Sequence, residues 1–423
     1  MKNYKLSDET KTTAWGTVLR RVVATTTFTL ACGITINAGD VGGWIEKESN
    51  LSGNAWVSDN AWVSGNAKVS DNAWVSGYAQ VSGDAKVRGN AQVSGNAVVY
   101  GDALVSDNAQ VSGYASVHGN AKASCNARVS GDTKVYDNAQ VSDNAKVDGY
   151  AWVSDYAQIS GNAKVYGNAR VSDKAKVYGN VKVYGNARVS DKAKVYDIAR
   201  VYDNAKVYGN AWVHGNAEVY SKAQVYEDAQ VYRDAWVSGS AKVFGDALVR
   251  DNAWIYDDAR VFGNAEVFGN AWVCGDAQVY GYARASNNAT VYGYAKVSGD
   301  AEVYGNAEVF SNAKVFGAAL VSGDAHVSDN AWVFGNAKVF GNAKVFGDAT
   351  VSGYARVYGY ALVSGYVQVF GDAWVFGNAE VFDDAQVFGN AMVSGYAQVF
   401  GNAMVSGYAQ VYGYAEVGGD AKG

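Results

Sequence analysis

The chain has 423 residues, with 49 Gly, no Pro, 3 Cys and a formal net charge of −6. Its 30 Tyr, 14 Phe and 12 Trp, with Pro absent, exclude a disordered chain, and Gly without Pro or the right period excludes collagen. Three Cys are too few for a secreted disulfide scaffold, and the acidic balance argues against a dedicated nucleic-acid binder, which is normally basic.

Residues 1–44 do not repeat and are expected to form a small N-terminal β cap. Within them, Leu19–Cys32 has the outline of an export signal: Arg20-Arg21, a semi-apolar run, then a Cys. Asp8 and Glu9 precede it, and Thr25, Thr26, Thr27 and Thr29 make the run poorly hydrophobic. It reads instead as a Val/Thr/Phe-rich β segment. Nothing approaches the roughly 18 apolar residues of a membrane span, and without a convincing leader cytoplasmic residence is the default expectation.

From Ala55 to Asp420 the chain is one unbroken six-residue period of 61 hexads, whose phase extends back through Leu51 to Ile45. Each hexad reads Ala-x-Val-[Ser/Tyr/Phe]-[Gly/Asp]-[Asn/Asp/Tyr]. Exceptions at the Val position are Ala123, Ile159, Ile255 and Ala285; at the Ala position they are Thr133, Val181 and Val367. Ala and Val are two apart, so a short strand points both to one side while the flanking residues point away. The Gly, Asp and Asn that follow tolerate positive φ, so the chain can turn after every strand. A helix is excluded, since Gly every sixth residue would be costly. The expected fold is all-β: a parallel β-solenoid over residues 45–423. Asn168–Tyr178 recurs at Asn186–Tyr196, a shift of 18, although a 12-residue copy also exists (Gly389–Phe400 into Gly401–Tyr412). Taking 18 residues per coil gives a triangular prism of about 20 coils, roughly 100 Å long at about 4.8 Å per rung.

The pattern resembles the hexapeptide-repeat, left-handed β-helix superfamily, whose motif Val57-Ser58-Asp59-Asn60-Ala61-Trp62 fits directly. Left-handedness is what that resemblance implies. The stretch Gly39-Asp40-Val41-Gly42-Gly43-Trp44-Ile45-Glu46, leading to Asn50-Leu51-Ser52-Gly53-Asn54-Ala55, resembles the solenoid entry of YdcK-like proteins of bacteria and their phages. The resemblance specifies fold, and it raises acyl transfer from an acyl-CoA donor as the alternative function. Hexapeptide acyltransferases, by that resemblance, need a histidine base and a loop that breaks the prism. The only histidines, His118, His214 and His326, fall on three different faces, and no insertion interrupts the hexads. Cys125 replaces a turn Gly and Cys274 a strand residue, each without a nearby His to activate it. No catalytic residue, metal site or cofactor is expected.

Residues 18 apart stack directly in such a coil. Tyr166, Tyr184, Tyr202 and Tyr220 form one expected ladder; Tyr208, Tyr226, Phe244, Phe262 and Tyr280 a second; Trp236, Trp254 and Trp272 a third. They can stiffen the sheets or offer a contact face for a glycan or protein partner. The outward residue after Val drifts along the chain from mostly Ser to mostly Tyr, then Phe. Between Lys164 and Lys206 lie ten Lys/Arg and four Asp: Lys164, Lys182 and Arg200 on one face, Arg170, Arg188 and Lys206 on a second, Lys176 and Lys194 on the third. This belt is a solvated surface or a site for an anionic polymer. The hexads end at Gly423 with no evident cap, so self-association through an open C-terminal coil is a further expectation. The functional expectation is a non-catalytic structural or binding rod, either spacer, adhesin-like surface or assembly element, of phage-like origin.

Overall fold

The computed structural model describes residues 2–419, and the chain divides into two compact units between Asn210 and Ala211. In both, each hexad contributes one very short strand, usually the two residues x-Val, from Trp56–Val57 to Glu416–Val417. Within each unit the hexad strands pair in parallel with the strand three hexads on: in the first, Gln80 lies opposite Val98 and Val81 opposite Val99, and in the second Trp254 lies opposite Trp272 and Ile255 opposite Val273. Three parallel sheets result, and the coil is 18 residues, about 21 coils in all.

The backbone closes its own accounts. In a hexad such as Ala55–Asn60, Trp56 N–H donates to the Ala73 carbonyl, Ser58 N–H to Val75 and Asn60 N–H to Gly77, all at 2.9 Å. Three inter-coil bonds per hexad therefore satisfy strand and corner alike, as a buried backbone requires. The inward columns of Ala and Val are fully buried along both units up to Val405; beyond it Ala409 and Val417 are half-buried and Ala415 is exposed. Each buried Val contributes about 1.5–3 kcal/mol relative to leaving it exposed.

The fifth residue of each hexad adopts the left-handed conformation, φ between 56° and 83°. Gly suits it for want of a Cβ, and Asp is the commonest other occupant (Asp59, Asp143 and Asp329 among them). The Asp carboxylate then accepts the N–H of the same corner one coil on: Gly77 N–H to Asp59 at 2.9 Å, Gly161 N–H to Asp143 at 2.9 Å, Gly347 N–H to Asp329 at 3.1 Å. Where Val replaces Ala, at Val181 and Val367, the preceding corner opens: Gly179 and Gly365 have φ of 83° and 78° against 63–75° at the other solenoid corner glycines.

The N-terminal segment is a β structure, as expected. β1 (Tyr4–Thr12) and β2 (Val18–Ala24) are antiparallel, β3 (Phe28–Thr29) and β4 (Thr35–Ile36) make a small hairpin, and β5 (Val41–Ile45) joins the cap to the coils. β5 pairs antiparallel with β2 on one side and parallel with Trp62–Val63 on the other, so it is both the last cap strand and the first rung. Leu19, Val22, Leu30, Ile45 and Trp56 fill the core between them. The Gly42-Gly43 pair is needed here: a Cβ would lie 2.5 Å from the Val57 carbonyl at Gly42 and 2.5 Å from the Ala61 carbonyl at Gly43. Buried Asn50 accepts the Lys47 N–H at 2.7 Å and donates to the carbonyls of Gly65 and Ala67 at 3.1 and 2.8 Å, tying the entry to the first coils. The Tyr4 hydroxyl lies 2.6 and 2.7 Å from the Glu48 and Leu51 carbonyl oxygens. Burial, with the Glu48 charge adding to it, pushes its pKa up to about 12.

Candidate functional site

On every face two outward columns flank the buried Val, one from the residue before it and one from the residue after. A third column runs down each corner from the last residue of the hexad. Within the first unit, Tyr166, Tyr184 and Tyr202 stack at centroid distances of 4.9 Å with their planes within 1° of parallel; Tyr208 also lies in this unit. Within the second, Tyr226, Phe244, Phe262 and Tyr280 stack at 4.9 Å, within 3°. Trp236, Trp254 and Trp272 stack at 4.7 and 5.5 Å, and Tyr220 meets Trp236 edge-on at 6.5 Å. The rings brought together within each unit are those read from the 18-residue spacing.

The geometry fixes what these ladders can offer. Parallel rings repeated every 4.9 Å cannot lie flat on the surface, because neighbouring carbons need about 3.5 Å of clearance and flat rings would collide edge to edge. The faces therefore look along the column and the edges look outward. Isolated tryptophans follow the same rule with cations as neighbours: Trp152 has Lys134 and Arg170 at 5.0 and 4.5 Å from its ring centroid, one coil to either side. Trp332 has Lys314 at 4.4 Å and Trp374 has Arg356 at 4.9 Å.

The histidines are taken up in the same columns. His118 stacks between Tyr100 and Tyr136 at 4.6 and 5.2 Å. Burial lowers its pKa, with Asp137 opposing. His214 stacks on Tyr232 at 5.0 Å, and His326 meets Phe310 edge-on at 6.4 Å. Cys125 and Cys274 are half-buried free thiols; burial raises the Cys274 pKa, opposed by its hydrogen bond with Tyr256. Among the described residues no group of three or more His, Cys, Asp or Glu side chains is placed to hold a metal ion. Nor is any helix among them long and apolar enough to cross a membrane. The expected self-association surface at the C-terminal end involves residues 420–423, which lie outside the described residues.

Two features went unread in the sequence. The corner tyrosines are the most exposed rings in the solenoid, Tyr408 at 85% and Tyr414 at 82% against 37% for Tyr166; they occupy the Asn position of the hexad, which the sequence marks only as a turn. The corner Asn residues themselves form amide ladders. Asn108, Asn126, Asn144 and Asn162 each donate to the carboxamide oxygen one coil on, the last of them to Asn180, at 3.0–3.2 Å. The signal was present: Asn recurs at intervals of 18 along that corner. Shallow grooves follow some corners of the second unit. One of about 450 Å³ is bordered by Tyr354, Arg356, Asp372, Trp374, Asn390 and Met392. Two others, of about 450 and 430 Å³, share Asn312 and Lys314 and so run on from one another.

The YdcK β-solenoid repeat family model matches five segments of the chain, residues 91–106, 157–173, 199–215, 385–399 and 397–413. No curated protein matches it. The matched segments lie in the hexads whose strands, corners and 18-residue coil are described above, and the chain is accordingly a β-solenoid repeat protein of the YdcK type.

Proposed function

We propose that the protein is a non-catalytic structural and binding scaffold, in which the solenoid holds columns of identical chemistry at a fixed interval for an extended partner. The observation that carries this reading is the in-register stacking of outward rings at 4.9 Å. A column repeats the same group at every rung, and a repeated group suits a repetitive polymer or a broad protein surface better than one small substrate. Tyr166, Tyr184, Tyr202, Tyr220, Tyr208, Tyr226, Phe244, Phe262, Tyr280, Trp236, Trp254 and Trp272 are the proposed contact residues. They act through their edges and the apolar strip these make, since the faces of the stacked rings are spent on one another. The histidines support the same reading, because each is engaged by an aromatic neighbour. Calorimetry with acetyl-CoA tests the proposal against acyl transfer: no saturable heat is expected, and a saturable isotherm would overturn it in favour of the transferase.

A further inference from the structure

The chain's charge is unevenly placed. Residues 164–206 carry ten Lys/Arg against four Asp, a local charge of +6 in a chain of net −6. Within the first unit one sheet collects five cations on consecutive rungs: Arg128 lies opposite Lys146, Lys146 opposite Lys164, Lys164 opposite Lys182, and Lys182 opposite Arg200. Arg128, Lys146, Lys164 and Arg200 are exposed and Lys182 is half-buried. Two residues before each of the first four cations stands a member of the amide ladder Asn126, Asn144, Asn162 and Asn180. On the other side of the inward Val runs the Tyr166–Tyr184–Tyr202 stack. Amides, cations and ring edges thus form three parallel tracks on one side of the coil.

We propose that this face binds a linear acidic polysaccharide, an unbranched chain of sugars bearing carboxylate or sulfate groups. This rests on reading the solenoid as a presenting scaffold. Three features select the occupant. First, like charges held one rung apart repel, and a polymer that carries anions at a regular interval relieves that repulsion along the whole row. An extended acidic polysaccharide carries an anion every one or two sugar rings, a repeat on the scale of the rung spacing. Second, each Asn carboxamide has two N–H donors and two acceptor lone pairs; Asn126, Asn144 and Asn162 use one of each in the ladder, and Asn180 uses one acceptor. What remains is a row of donors and acceptors suited to sugar hydroxyls. Third, single-stranded nucleic acid is held by bases stacking on open aromatic faces, and Tyr166, Tyr184 and Tyr202 are stacked on one another at a spacing that admits no base.

Biolayer interferometry of the full chain tests this, with immobilised polygalacturonate as the probe and with neutral dextran and single-stranded poly-dT alongside. Polygalacturonate is expected to bind and to weaken steeply with salt, and dextran is not expected to bind. The triple variant Lys146→Gln, Lys164→Gln, Lys182→Gln should lower polygalacturonate affinity about tenfold or more and reduce the salt dependence by roughly three charges. The variant Lys122→Gln, Lys176→Gln, Lys194→Gln makes the same charge change on a different sheet and should leave affinity within about twofold. Gln already occupies this hexad position at Gln110, Gln140 and Gln158, so both variants should keep the wild-type circular dichroism. Equal losses from the two variants, tighter binding to poly-dT, or no binding to polygalacturonate at low salt would each overturn the proposal. None of these outcomes bears on the scaffold reading, which the acyl-donor calorimetry tests separately.

Discussion

At the corners of the solenoid, Asp is expected to outperform Ala although it is larger. Gly335 has φ of 73°, and a Cβ there would lie 3.1 Å from Gly353 N and 3.3 Å from Gly353 O, close but without a severe clash. Gly335→Ala holds an ordinary L-residue in the left-handed region, at a cost of about 1–2 kcal/mol. Gly335→Asp bears less of that cost, because Asp visits this region more readily. Its carboxylate can also accept the Gly353 N–H as Asp329 accepts the Gly347 N–H at 3.1 Å. Hydrogen bonds to charged groups contribute about 1.5–3 kcal/mol, and solvent at the exposed corner reduces this. The net difference should be about 1–2 kcal/mol in favour of Asp. Amide hydrogen exchange over residues 330–355 is the right assay, since repeat arrays do not reliably unfold in one step. In the Asp variant the Gly353 amide should exchange about tenfold more slowly than in the Ala variant, following about 1.4 kcal/mol per decade. Equal protection, or better protection with Ala, would mean that the corner carboxylates are incidental and that Asp is tolerated there for reasons other than the inter-coil bond.

Other perturbations read other parts of the structure. Gly365→Ala would place a Cβ 2.6 Å from the Asp383 carbonyl oxygen, so it should lose about 2–5 kcal/mol of local stability by the same exchange assay, more than Gly335→Ala. Thr133 is fully buried and its hydroxyl has no hydrogen-bond partner; Thr133→Val should stabilise the surrounding coils by about 1–2 kcal/mol, in a position where Val181 and Val367 already fit. Tyr4 keeps its proton in the fold to about pH 12, above its ordinary value, so its contribution is full below pH 10 and is lost as pH rises from 10 toward 12. Thermal unfolding of the cap should show that loss in the wild type and not in Tyr4→Phe. His118 has a lowered pKa, so the fold prefers it neutral; stability should fall as pH drops below about 6.5, and His118→Tyr should flatten that slope.

The fold was legible because one short pattern is repeated. Alternation between Val57 and its neighbours sets which side is dry, and the Asp59-Asn60 corner sets where the chain turns. Neither feature shows how many strands make a coil. The copied segment at Asn168–Tyr178 pointed to 18 residues, and the pairing of Lys176 with Lys194 agrees. The cap was legible only as β structure. Its pairings depend on close approach at Gly42 and Gly43 and on the Asn50 contacts, which join segments far apart in sequence with no period to mark them. Among the surface residues, the ladder partners followed from spacing. The direction in which the rings face did not, because it comes from the clearance between neighbours rather than from residue type. Arg128 and Lys146 were passed over for a related reason: as single charges in a Ser-rich stretch they are unremarkable, and only the sheet register joins them to Lys164.

The coil length itself is open to direct measurement by paired cysteines in a chain freed of Cys32, Cys125 and Cys274. Lys176→Cys with Lys194→Cys sets two thiols on adjacent rungs of one sheet, within the Cα separation of about 4.4–6.8 Å that a disulfide accepts. Arg170→Cys with Lys182→Cys, 12 residues apart, sets them on different sheets. Mild oxidation and peptide mass mapping should find the 18-residue pair joined within one chain and the 12-residue pair free. A disulfide in the 12-residue pair, or none in the 18-residue pair, would contradict three hexads to the coil and every ladder built upon it.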